Sequence, residues 1–71
     1  MNKQLIQAII KAGNKAMDSV CIKYTVDTKD NRYYSYDELY YDDNHVEVVD
    51  DYDDKITLSY YDIVGIRIGN L

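Results

Sequence analysis

Proline, tryptophan and phenylalanine are missing from this chain, and cysteine and histidine occur once each. Without proline no X-Pro turn or cis bond can punctuate the fold, so its turns have to be built from Asp, Asn, Ser and Gly. The single cysteine, Cys21, excludes an internal disulfide, and Cys21 with His45 is too small a donor set for a zinc site. No apolar run approaches the roughly 18 residues that cross a bilayer. The start does not read as a secretory signal either, because Leu5 to Ile10 is interrupted by Gln7 and followed at once by Lys11. A cytoplasmic protein is the expectation.

Lysine and arginine are absent from positions 37 to 54, where nine carboxylates stand: Asp37, Glu38, Asp42, Asp43, Glu47, Asp50, Asp51, Asp53 and Asp54. The formal net charge of −5 is therefore unevenly spread. Residues 1 to 23 set Lys3, Lys11, Lys15 and Lys23 against Asp18, whereas residues 24 to 71 hold four basic and twelve acidic groups. Like charges packed so densely repel one another, so a fold that keeps them either uses their field on a partner or wears them as a solvated face that blunts strand edges. Direct binding to a phosphate backbone is disfavoured, and a basic partner is favoured.

With 71 residues, 46% of them hydrophobic, one core and one domain spanning residues 1–71 are expected. Nine tyrosines supply all the aromatic burial, and each buried ring has to find a partner for its hydroxyl. Apolar residues at Leu5, Ile6, Ile9, Ile10, Ala12, Ala16 and Met17 carry helical spacing, with Asn2 as N-cap, and predict a helix within residues 1–18. One stripe (Leu5, Ile9, Ala12, Ala16) and its neighbour (Ile6, Ile10, Met17) are expected to face a sheet. After Asp18 the period changes to two.

Val20, Ile22, Tyr24 and Val26 would share one strand face, with Cys21, Lys23 and Thr25 on the other. A turn over Asp27 to Asn31 follows, then a strand over Tyr33 to Tyr41, broken or bulged near Asp37. Asp42-Asp43-Asn44 makes the next turn, Val46 to Val49 a third strand, Asp50 to Asp54 another turn, Ile56 to Tyr60 a fourth strand and Ile63 to Ile68 a fifth. Gly65 inside that last strand predicts a bulge or a close approach. Hairpin-length connections make the sheet antiparallel. The expected class is α+β: an N-terminal helix followed by a five-stranded antiparallel, barrel-like sheet over residues 19–71.

That order, with "LIQAII" on the helix, "VCIKYTV" on the first strand and "ITLSYYDIVGIRI" at the end, resembles the small Sm-like or SH3-like barrels and, more loosely, the WYL-type sensor domains. Where the WYL pattern has Trp-Tyr-Leu on the third strand, this chain has His45-Val46-Glu47, and Arg32 and Arg67 are its only arginines. In size and charge the chain is also similar to phage-encoded inhibitors, anti-CRISPR proteins among them. That resemblance implies occupation of the basic nucleic-acid channel of a host nuclease or other defence protein.

The candidate contact set is Asp37, Glu38, Asp42, Asp43, Asp50, Asp51, Asp53 and Asp54 for charge, with Tyr40, Tyr41 and Tyr52 as anchors. Turns and strand faces could space such carboxylates along a ridge as phosphates are spaced, and tyrosine is enriched at interface hot spots. Asp50 to Asp54 do not make a calcium loop, since the glycine turn and the bidentate glutamate are missing. His45 has no serine or cysteine near it in sequence, and Cys21, within a strand, reads as a buried or half-buried apolar group. No catalytic residue, metal or cofactor is expected. The alternative reading is an oligomeric Sm- or WYL-like module that senses a small ligand. Its row Val64, Ile66 and Ile68, on an edge strand, would pair with a second copy.

Overall fold

Asn2 caps the first element with its side chain: Oδ1 accepts from Leu5 N at 2.7 Å, and helix α1 runs Lys3–Ala16 from there. The structure, a computed structural model, describes residues 2–50 and 52–70. Asp51, one of the candidate contact residues, lies outside the described residues. Ile6, Ile10 and Gly13 are buried, with Ile9 and Met17 packed beside them. Leu5 and Ala12 are exposed, so the helix buries one stripe rather than the two expected.

Six strands follow: β1 (Ile22–Thr28), β2 (Arg32–Ser35), β3 (Tyr40–Tyr41), β4 (His45–Val49), β5 (Lys55–Ser59) and β6 (Ile63–Asn70). They form two three-stranded antiparallel sheets, ordered β2-β1-β6 and β3-β4-β5. The α+β class stands, but the expected five-stranded barrel does not. The expected strand Tyr33 to Tyr41 is two strands in different sheets.

The reason lies at Ser35 and Leu39. Ser35 is fully buried, and its Oγ both donates to Asp37 O and accepts from Asp37 N, which turns the chain out of the first sheet. Four residues further on, the backbone of Leu39 is held by a helix side chain. Asn14 Nδ2 donates to Leu39 O at 2.8 Å, and Leu39 N donates to Asn14 Oδ1 at 3.2 Å. An amide side chain from α1 thus stands where a strand neighbour would, and the segment passes into the second sheet with both backbone groups satisfied.

Between the sheets and α1 sits the core, in which Ile6, Ile10, Ile22, Val26, Leu39, Val46, Val48 and Ile63 are almost wholly withdrawn from water. Tyr24 is 0% exposed, and its hydroxyl proton is shared between Ile10 O at 2.9 Å and Asn14 Oδ1 at 2.8 Å. Tyr60 closes the other end of the helix by donating to Asp42 O at 2.6 Å and accepting from Gln7 Nε2 at 3.1 Å. Among the described residues no buried side-chain nitrogen or oxygen lacks a partner. Val20 and Cys21 precede β1 and are exposed, because that strand begins only at Ile22. In β6 the register against β1 shifts beside Gly65, where the sequence predicted a bulge.

Candidate protein-binding surface

Strand β4 divides the carboxylate block. Its two ends, His45 and Val49, are about 13 Å apart along an extended strand, and the turns entering and leaving it lie at opposite ends of the second sheet. Asp42 and Asp43 occupy one end and Asp50, Asp53 and Asp54 the other. Asp37 and Glu38, both exposed, lie in the segment that crosses between the sheets. The carboxylates of the block thus fall at both ends of β4, with Glu47 midway along it.

Two of the acids also hold backbone. Asp42 Oδ1 accepts from Asn44 N at 2.7 Å and His45 N at 2.8 Å, and these two bonds keep its carboxyl below the usual carboxylate range. Asp50 Oδ1 accepts from Tyr52 N and Asp54 N, both at 2.9 Å, while the backbone closes with Asp50 N to Asp54 O at 3.0 Å and Asp53 N to Asp50 O at 3.1 Å. Asp53 takes a positive φ of 61°, a conformation that short polar side chains tolerate. The result is a closed loop. On it Tyr52 is 85% exposed, with Asp53 and Asp54 exposed beside it.

Of the nine tyrosines, Tyr24 and Tyr60 are core and Tyr33 packs against it, while Tyr34, Tyr36, Tyr40, Tyr41, Tyr52 and Tyr61 are exposed. Tyr40 stands opposite Glu47 on the outer face of the second sheet. Tyr40, Tyr41, Asp42, His45, Glu47 and Thr57 line a depression of about 240 Å³ there. At the β5–β6 turn Tyr61 is 87% exposed and adjoins Asp62. It lies at the Asp42 end of the sheet, since Ser59 pairs with His45.

Folding also brings together residues far apart in sequence. Ser59 lies directly across from His45, and His45 Nδ1 is 3.9 Å from Asp42 Oδ1. Ser59 Oγ instead accepts from Tyr61 N at 3.2 Å, and His45 and Asp42 are open to water. No group of three or more His, Cys, Asp or Glu placed to hold a metal ion occurs among the described residues.

On the outer face of the first sheet, Asp27 Oδ1 accepts from Arg32 Nε at 2.6 Å and Asp27 Oδ2 from Arg67 Nη2 at 3.2 Å. Lys23 Nζ lies 5.1 Å from the centre of the Tyr34 ring on that same face. Sequence reading did not find this basic face, because Arg32 and Arg67 meet only through Asp27. No helix among the described residues is long and apolar enough to cross a membrane. The chain matches no protein-family model, no curated protein and no solved structure.

Proposed function

We propose that the protein is a small, non-catalytic inhibitor that docks an acidic, tyrosine-tipped loop on the basic nucleic-acid-binding surface of another protein. The observation that carries this reading is the β4–β5 loop: Tyr52 is 85% exposed on a turn that Asp50 holds closed, with two further carboxylates beside it. Exposing a large aromatic ring gains nothing for folding, and a loop whose backbone is already closed loses less entropy on binding than an open one. Carboxylates around such a ring steer it toward cations and repel nucleic acid. A nuclease of a CRISPR system, or another host defence protein with a basic channel, fits that chemistry, with the inhibitor encoded by a phage or mobile element and acting in the cytoplasm without a cofactor.

Within this reading the eleven candidate residues take different parts. Tyr52, Asp53 and Asp54 make the primary contact, with Asp51 in the same loop by sequence. Asp50 and Asp42 shape their turns. Tyr40, Tyr41, Asp43, Asp37 and Glu38 form secondary contacts. The alternative, a module that senses a small ligand, calls for an enclosed site, and the depression of about 480 Å³ beside Lys3, Asp43, Asn44, Ser59, Tyr60 and Tyr61 is open to solvent.

Competition for nucleic acid tests the reading. A basic target recovered from host lysate after nuclease treatment is loaded with labelled nucleic acid, and this protein is titrated in. Displacement of the label, lost in the Tyr52→Ala/Asp53→Asn/Asp54→Asn variant, supports the proposal. A ternary complex in which the label stays bound overturns it.

A further inference from the structure

One row crosses the outer face of the second sheet, with Tyr40 on β3 opposite Glu47 on β4 and Glu47 opposite Thr57 on β5. Two residues back along β4 a second row sets His45 opposite Ser59, and Asp42 joins it through the bond from Asp42 N to His45 O at 3.0 Å. Rows so related lie about 7 Å apart. The depression of about 240 Å³ takes its lining from both. Tyr40, 55% exposed, supplies an open aromatic ring, and Glu47 and Asp42 supply carboxylates.

These carboxylates have acceptor capacity to spare. Asp42 Oδ1 accepts from Asn44 N and His45 N, but no hydrogen bond among the described residues reaches Oδ2. Glu47 accepts none either. Lys55 Nζ stands 3.6 Å from Glu47 Oε1 with its side chain 73% exposed, an ion pair of the kind that contributes little and is easily exchanged.

We propose that this depression takes the guanidinium of an arginine from the basic partner, stacked on the Tyr40 ring and donating to Glu47 and Asp42. For the source of that arginine it rests on the proposed function. A guanidinium is planar, carries five donors in a fixed fork and is more weakly hydrated than an ammonium, so it lies on a ring and meets carboxylates at its edge together. Nucleic acid is disfavoured by the two carboxylates. A metal ion is not favoured, because no three His, Cys, Asp or Glu converge among the described residues. Nor does a second copy supply the group: Arg32 and Arg67 are the only arginines of the chain, and both are held by Asp27. Charge and ring together therefore select a guanidinium on another protein. The depression stands toward the Asp42 end of β4 and the Tyr52 loop beyond its other end, so the two contacts are separable by mutation.

The probe is a capped glycyl-arginyl-glycine tripeptide, titrated into the isotope-labelled chain and followed by NMR. Saturable shifts at the amides of Tyr40, His45, Glu47 and Thr57 are expected, with the lysine tripeptide at the same ionic strength at least about threefold weaker. Glu47→Gln and Tyr40→Leu are each expected to weaken the arginine peptide about threefold or more. Asp30→Asn, which removes an exposed carboxylate from the β1–β2 turn, leaves it unchanged. Arginine and lysine peptides that bind alike overturn the inference, as do shifts that gather elsewhere, an affinity indifferent to Glu47→Gln, or no saturation up to about 50 mM. Arginine binding at the depression without displacement of nucleic acid from a basic target removes the proposed function and leaves the arginine site. Displacement without arginine binding removes the site alone.

Discussion

Gly13 lies against the ring of Tyr24 so closely that a Cβ at position 13 would overlap the tyrosine hydroxyl and stand 2.7 Å from Cζ. A glycine in mid-helix costs about 1 kcal/mol relative to alanine, so its presence here marks the contact that lets α1 settle onto the first sheet. Gly13→Ala is expected to lower stability by roughly 1 to 2 kcal/mol, overpacking outweighing the gain in helix propensity. The check is urea unfolding, repeated in a Tyr24→Phe background where the loss shrinks because the hydroxyl is gone.

Tyr24 also sets an alkaline limit. Burial, with the negative charge of Glu38 adding to it, pushes its phenol up to about 12. An unfolded tyrosine ionises near pH 10. Between those values the unfolded chain holds fewer protons than the native one, so stability is full below about pH 10 and falls as pH rises toward 12. Unfolding followed by circular dichroism against pH is expected to show this decline. Tyr24→Phe costs about 1 to 3 kcal/mol at neutral pH and makes the alkaline decline shallower.

At the acid end the sign reverses. The hydrogen bond from Arg32, helped by the charge of both arginines, holds Asp27 below the usual carboxylate range, and the backbone bonds from Asn44 and His45 do the same for Asp42. Both groups contribute stability that is fully present above about pH 4 and lost as pH falls through their native values. The urea midpoint is therefore expected to drop below about pH 4, with a smaller drop for Asp27→Asn and for Asp42→Asn. An acid profile unchanged in both variants contradicts this.

The hairpins were legible in the sequence because period-two runs alternate with Asp, Asn and Ser turns, and β4, β5 and β6 fall within two residues of where those patterns put them. The passage from β2 to β3 was not legible. It depends on Asn14, a polar residue in the helix, replacing a strand partner at Leu39, and no local pattern carries that contact. Cys21 was misplaced because the alternation runs on through Val20 and Cys21, whereas the strand begins at Ile22. The division of the acidic block could have been read, because turns at the two ends of one strand necessarily lie at opposite ends of a sheet. So could the turn-forming parts of Asp42 and Asp50, which follow from the way an Asp side chain caps the backbone after it. The pairing of Arg32 and Arg67 through Asp27 needed the three-dimensional register.

Within the β4–β5 loop, structure and contact are expected to separate. Asp50→Ala removes two acceptor bonds and costs about 1 kcal/mol, whereas Tyr52→Ala leaves stability within about 0.5 kcal/mol, as an exposed ring does. Thermal unfolding of the two variants distinguishes them. A Tyr52→Ala protein that unfolds several degrees lower would mean that the ring packs on the body.

The most direct test of an acidic, tyrosine-anchored docking loop is stopped-flow association with the captured basic target over a range of salt. Asp53→Asn/Asp54→Asn is expected to associate at least several times more slowly, with a flatter salt dependence, while Tyr52→Ala associates normally and dissociates about tenfold faster or more. Rates for both variants equal to those of the unaltered chain at every salt concentration would contradict the account and leave the carboxylates as a solvated face.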